Sequence, residues 1–236
     1  MCPAPHGTLD VVQTLVLSPS TGVEQIQRDD AKCAHEEAPM SAIDLREPVP
    51  AELRTSEFAL RPITARDAAM DHAAVMETRE HLRLWEQSSW PEDDFTVDAN
   101  RADLVDLEER HAAGRAYTYT VQDPLGTECL GCVYVFPTHA TFLARATVTP
   151  VGDDVWADVQ AVAYFWVRRS RMETGLDERL LAALRAWFAE AWKLERTVFV
   201  TNEQFTQQVD LIERTDLTRR FELVEPGKTG TYLVYG

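Results

Sequence analysis

Residues 155–192 read VWADVQAVAYFWVRRSRMETGLDERLLAALRAWFAEAW, and the change of pattern inside this stretch decides the fold. Its first part, through Val167, is a long apolar and aromatic run, as expected of a central strand buried on both faces. Leu176, Leu180, Leu181, Leu184, Trp187, Phe188 and Ala191 then recur at helical spacing, so one stripe of an amphipathic helix packs on a sheet. Between the two lies an arginine-rich turn closed by Gly175.

Working outward, "FALRPI" reads as a strand that stops at a proline, and Thr64 stands where a helix N-cap belongs, ahead of "ARDAAMDHAAVMETREHLRLW". Trp90-Pro91 breaks the pattern, Thr96 caps a second helix, and Gly114 ends it. "AYTYTVQD", a turn at "PLGT" and "ECLGCVYVFP" make a hairpin, which "ATFLARATVT" is expected to extend as a meander. After the central strand and its helix come a short strand "RTVFV", a turn beginning at Asn202, a helix over "QQVDLIERTDL" and a closing hairpin "FELVEPGKTGTYLVY". The order predicts a mixed α/β sheet flanked by helices over residues 57–236.

Residues 1–56 differ: they are rich in Pro, Ser, Asp and Glu, hold no aromatic residue, and show no sustained period. They read as a poorly structured N-terminal extension. Met40 is an alternative start, in which case residues 1–39 lie outside the native product; an edge strand at "VVQTLVL" and a regulatory or dimer-bridging arm are the other readings.

Composition narrows the function classes. The formal charge is -16, from 39 acidic against 23 basic side chains, a field that repels nucleic acid and anionic membranes. No stretch approaches the roughly 18 consecutive apolar residues of a membrane helix, and no basic segment precedes an apolar core at the N-terminus. The expectation is a cytoplasmic protein without nucleic-acid or membrane partners. Cys129 and Cys132 form a lone C-x-x-C inside a strand-like segment. Positions three apart on a strand point to opposite faces, so the pair reads as packing, and no metal is expected. His72 and His81, nine apart on the first helix, share no ligand spacing.

Leu60-Arg61-Pro62 opening the first strand, and Tyr164-Phe165-Trp166-Val167 ahead of the arginine turn, carry a resemblance to the GNAT superfamily of N-acetyltransferases. The resemblance is closest to the ribosomal-protein N-acetyltransferase branch and covers about three quarters of the chain. It implies a mostly antiparallel sheet flanked by helices and acetyl-CoA as co-substrate. The acetyl group would pass by direct attack to a primary amine of a small molecule or peptide, and a homodimer is compatible with the family.

By the same resemblance, the pyrophosphate of acetyl-CoA docks on main-chain amides where the strand hands over to the helix. A helix N-terminus favours anions through its unbonded N–H groups and its dipole, and glycine permits close approach. The matching segment runs from Arg168, Arg169 and Arg171 through Thr174, Gly175 and Leu176; of the family's glycines only Gly175 is kept, with Glu173, Asp177 and Glu178 opposing the arginines. Main-chain N–H groups near Trp166, Val167 and Arg168 are the expected stabilisers of the thioester carbonyl, and Asn202 the contact to the pantetheine arm. Candidate bases are Asp158 and Gln160, with Glu86 and Glu92 as alternatives; Trp85, Glu86 and Trp90 are the expected acceptor contacts. Many relatives protonate the leaving thiolate with a tyrosine after the fifth strand, but no Tyr, Cys or His lies between Tyr164 and Tyr232. That gap leaves a second reading open, a GNAT-like domain that binds acyl-CoA or a protein partner without turnover.

Overall fold

The computed structural model describes residues 49–236. The expectations for Met40 and for a strand at 11–17 fall outside them. The chain order is β1 (Leu53–Arg54), β2 (Ala59–Pro62), α1 (Ala68–Glu86), α2 (Val97–Ala112), β3 (Tyr117–Gln122), β4 (Cys129–Phe136), α3 (Thr141–Arg145), β5 (Thr147–Pro150), β6 (Ala161–Val167), α4 (Arg169–Met172), α5 (Leu176–Glu190), β7 (Thr197–Asn202), α6 (Thr206–Glu213), β8 (Arg219–Val224) and β9 (Tyr232–Tyr235). The nine strands form one sheet in the order β1-β2-β3-β4-β6-β7-β9-β8-β5. Every neighbouring pair is antiparallel except β6 and β7, which are parallel.

Alternation along β6 divides the core. Val162, Tyr164 and Trp166 face a cluster with Ala74, Val75, Leu82 and Trp85 of α1 and Leu104 and Leu107 of α2. Ala161, Ala163, Phe165 and Val167 face a second cluster with Leu180, Leu181, Leu184, Trp187 and Phe188 of α5 and Leu211 and Ile212 of α6. A strand covered on both faces needs an apolar residue at each step, which is why the sequence from 161 to 167 does not alternate in polarity.

Local chemistry fixes the element ends. The guanidinium of Arg61, from the "LRP" segment, donates to both carboxylate oxygens of Asp67 at 2.9 and 2.6 Å. Asp67 also accepts from the Thr64 N–H, which sets the turn from which α1 starts. Thr96 Oγ1 accepts the Ala99 N–H at 3.1 Å as the cap of α2.

Three expectations are corrected. Residues 141–150 do not extend the meander: they form α3 and then β5, which crosses to the opposite edge and pairs with β8. The folded unit takes in β1, which pairs with β2, and Pro50, whose carbonyl accepts the Tyr119 hydroxyl at 2.9 Å, so the sheet begins inside the stretch read as an extension. Finally, Cys129 and Cys132 lie in the same core cluster. The ladder between β3 and β4 passes from Val121↔Gly131 to Gln122↔Cys129, leaving Leu130 as the extra residue of a β-bulge. That insertion turns Leu130 to the α5 face and returns Cys129 to the side of Cys132.

Candidate functional site

The sheet is open along one line. β6 pairs with β7 only over Ala161–Ala163 against Thr197–Phe199, so from Tyr164 onward the two strands separate. Val167 stays paired with Gly131 of β4, which holds the far side of β6 straight. The Arg168 N–H donates to the Leu130 carbonyl of the bulge at 2.7 Å. Because amides alternate along a strand, this directs Arg168 and Trp166 toward β4 and leaves Val167 as the amide facing the opening. Of the three expected carbonyl stabilisers, only Val167 is so placed. On the same edge the Phe165 carbonyl accepts the Gln208 Nε2–H at 2.8 Å, a buried contact from α6.

The opening leads to the start of α5. Gly175 takes the left-handed conformation at φ 71°, a backbone position glycine reaches without strain, and the amides of Leu176 and Asp177 make no hydrogen bond among the described residues. Two unbonded N–H groups at a helix N-terminus are a fit for a phosphate. The surrounding charge opposes it. Arg168 pairs with Glu77 of α1 at 2.6 Å and with Glu128 at 3.2 Å, Arg171 also pairs with Glu128, and Arg179 pairs with Glu57 at 2.7 Å. Glu77 accepts the Ser170 N–H at 3.0 Å as well, and neighbouring Thr78 accepts that of Arg169 at 3.1 Å. The Ser170 amide and Arg168 together hold the Glu77 carboxylate below the usual carboxylate range. Asp177 is buried at the first turn of α5, accepting from Glu178 N–H and Gln207. Arg169 is exposed and makes no ion pair among the described residues. The turn therefore binds its own carboxylates with most of the charge that the sequence offers to a phosphate.

Asn202 closes β7, fully buried, opposite Tyr232 of β9; its Oδ1 accepts the Gln204 N–H at 2.8 Å. It lies beside the opening. Asp158 and Gln160 do not. They precede β6, and its seven residues at a rise of about 3.3 Å put roughly 23 Å between them and the turn. Asp158 is ion-paired with exposed Arg196 at 2.5 Å, and the Gln160 side chain accepts the Glu195 and Arg196 amides at 2.7 and 2.9 Å. The sequence suggested a strand from 155, but residues 156–158 form a single 3-10 turn, so both side chains serve the opposite end of the sheet.

Trp85 and Trp90 are both core residues, 2% and 5% exposed. Trp85 meets Tyr164 edge-on at 5.9 Å, while Trp90 meets Phe95 at 5.8 Å. Glu86 ends α1 and is buried beneath the turn between β8 and β9. Its carbonyl accepts the Lys228 ammonium at 2.6 Å and the Tyr232 hydroxyl at 3.4 Å. Lys228 Nζ is also 4.0 Å from the Glu86 carboxylate. Sequence reasoning missed the other members of this group. Glu225 is only 5% exposed, and its Oε1 has no hydrogen-bond partner among the described residues; the buried Tyr164 hydroxyl has none either. Burial pushes the Glu225 carboxyl up to about 7, with the Lys228 ammonium pulling the other way. Tyr164 and Tyr232 rise well above the usual phenol range through burial and the nearby Glu86 and Glu225. "VEPGK" has the composition of an ordinary polar hairpin turn; its burial comes from folding back onto the end of α1.

No group of three or more His, Cys, Asp or Glu among the described residues could hold a metal ion, and no described helix is long and apolar enough to cross a membrane. A mixed sheet with one parallel pair that separates, a bulge beside it and a helix starting at the opening define the GNAT acetyltransferase fold. Solved structures agree. RimJ of Mycobacterium smegmatis, determined with a CoA disulfide, is 18% identical with a TM-score of 0.57, covering 75% of this chain and 80% of its own. The ribosomal-protein-S5-alanine acetyltransferase of Vibrio fischeri is 16% identical with a TM-score of 0.55, over 79% of this chain and 95% of its own. RimL, a ribosomal alpha-N-protein acetyltransferase in complex with coenzyme A, is 16% identical with a TM-score of 0.56 over the same shares. No protein-family model and no curated sequence matches the chain. At these identities the likeness is one of fold.

Proposed function

We propose that this protein transfers an acetyl group from acetyl-CoA to a primary amine. The observation that carries this reading is the open edge of β6 running into the amides of Leu176 and Asp177 behind Gly175, which have no hydrogen-bond partner among the described residues. In this reading the Val167 N–H faces the thioester carbonyl, Asn202 lines the pantetheine arm, and the start of α5 receives the pyrophosphate, assisted by Arg169 and by Arg171 once it releases Glu128. The coenzyme supplies an activated acyl group; the chain supplies orientation, a polarising amide and a dry surface for the amine. Trp85 and Trp90 support the wall between α1 and α2, and Glu86 joins that wall to the β8–β9 turn. A cytoplasmic, homodimeric enzyme acting on a peptide or small-molecule amine is consistent with this reading.

One observation favours a second reading, an acyl-CoA-binding or protein-interaction domain without turnover: Arg168, Arg171 and Arg179 are already paired with Glu77, Glu128 and Glu57. Two measurements separate the readings. Thermal unfolding with acetyl-CoA reports binding through the rise in Tm that a native-state ligand produces. Thiol release over a panel of amines and peptides reports turnover. Stabilisation with thiol release supports the enzyme, stabilisation alone leaves the acyl-CoA-binding domain, and no stabilisation at millimolar coenzyme removes both of these and leaves only a protein-interaction domain.

A further inference from the structure

From Arg168 to Arg179 almost every main-chain amide already has a partner. Arg168 donates to the Leu130 carbonyl, Arg169 to Thr78 and Ser170 to Glu77. The amides from Arg171 to Gly175 donate to carbonyls of the turn itself, and that of Arg179 to the Gly175 carbonyl. The Glu178 N–H is taken by the Asp177 carboxylate at 3.0 Å. Leu176 and Asp177 alone are left over among the described residues, and two neighbouring amides serve one phosphate group, not a chain of them.

The side-chain charge is engaged in the same way. Arg168, Arg171 and Arg179 are ion-paired with Glu77, Glu128 and Glu57, which leaves Arg169. Recruiting Arg171 to a second phosphate breaks its pair with Glu128, so the attraction gained is offset by the one lost. Inside the opening the situation is the reverse. Gln208 is 3% exposed and its Nε2 sits on the Phe165 carbonyl of the open edge, yet its Oε1 has no hydrogen-bond partner among the described residues. The Nδ2 of fully buried Asn202, at the end of β7, has none either. Native structures rarely leave such groups unpaired without a ligand or water to complete them. A free acceptor and a free donor at the open edge match an arm that carries amide N–H and C=O groups, as pantetheine does.

We propose that the donor is recognised as a phosphopantetheine thioester. The pantetheine arm and the phosphate next to it supply the affinity; the further phosphates and the adenosine of a coenzyme add none, because Glu77, Glu128 and Glu57 already hold the arginines that would meet them. This rests on the acetyl-transfer reading and names its donor class: acetyl thioesters of 4′-phosphopantetheine, of which acetyl-CoA is one member.

Calorimetric titration of the full chain with acetyl-CoA, S-acetyl-4′-phosphopantetheine and S-acetylpantetheine tests this. We expect the first two to bind within about threefold of each other and the third, which lacks the phosphate, about tenfold more weakly. A larger advantage for acetyl-CoA, or S-acetylpantetheine binding as well as the other two, overturns the proposal. The variant carrying Glu77→Gln and Glu128→Gln supplies the converse. With Arg168 and Arg171 released, acetyl-CoA gains about tenfold over S-acetyl-4′-phosphopantetheine; equal changes for both donors would mean that these carboxylates shape the turn without occupying its charge, and would overturn the proposal. Titration reads binding without turnover, so the two failures are distinct. Thiol release accompanied by a large preference for acetyl-CoA sinks this donor class alone, whereas no binding of any donor at millimolar concentration sinks acetyl transfer with it.

Discussion

Gly131→Ala tests whether the bulge of β4 sets the geometry of the opening. A Cβ built on Gly131 lies 3.0 Å from Val167 Cα and 3.1 Å from the Trp166 carbonyl carbon, and closer still to the Trp166 carbonyl oxygen. All three atoms are backbone of β6, so no side-chain rotation relieves the clash. Ordinary contact between carbons begins near 3.5 Å, so β4 and β6 must part locally by on the order of 1 Å. The Arg168 N–H to Leu130 carbonyl bond, 2.7 Å long, is then lost. Overpacking costs about 1–3 kcal/mol and the hydrogen bond about 1 kcal/mol, for a total of roughly 2–4 kcal/mol. For a chain of this length that lowers Tm by about 5–15 °C. Urea denaturation of the variant beside Gly152→Ala, whose added Cβ meets nothing within 4 Å, provides the measurement and its control. A Gly131→Ala variant within about 0.5 kcal/mol of the parent would show that the two strands part freely. The bulge would then have no hold on the path of β6, and something else would have to set the opening.

Glu77→Gln removes the carboxylate that holds Arg168 and the Ser170 amide, and should tighten acetyl-CoA binding by about threefold to tenfold in calorimetry; weaker binding would mean that Glu77 shapes the turn rather than competing for it. Asp71 is fully buried, accepts from Asn100 Nδ2 at 2.9 Å, and is pushed up to about 6 by burial. Its raised value means that the folded chain keeps a proton the unfolded chain has released, so Asp71 lowers stability progressively as pH rises from about 4 to 6 and by its full amount above that. Asp71→Asn should remove a penalty of about 3 kcal/mol, giving a variant whose stability exceeds the parent's at pH 7.5 and converges on it near pH 4; parallel pH profiles would refute this.

The run from Val162 to Val167, the turn and the α5 stripe were legible because each is a local pattern of strong period. So were the caps at Thr64 and Thr96, and Asn202 beside the opening. What escaped the sequence depends on distance along the chain. Glu77 and Glu128 reach Arg168 across 91 and 40 positions, and Glu57 reaches Arg179 across 122, so no window around the turn reveals that its arginines are engaged. The bulge escaped because Leu130 satisfies either face, and a one-residue insertion reverses every parity argument downstream. Asp158 and Gln160 were displaced from the site by a strand that starts six residues later than its apolar composition suggests. Glu225 resembles any acidic residue before a Pro-Gly turn, and only the folded chain brings the tip of that hairpin to rest on Glu86 and Gln87.

The position of β9 also orders events during synthesis. Tyr232–Tyr235 lies between β7 and β8, and among the described residues β5 joins the sheet only through β8. A nascent chain that has emerged only as far as Thr231 therefore holds two disconnected ribbons, one ending at an uncovered β7 edge and the other made of β5 and β8. Both present free main-chain donors and acceptors to neighbouring polypeptides. Expression should accordingly be sensitive to any delay or fusion that keeps these four residues from docking, and a chaperone that shields strand edges would improve the soluble yield.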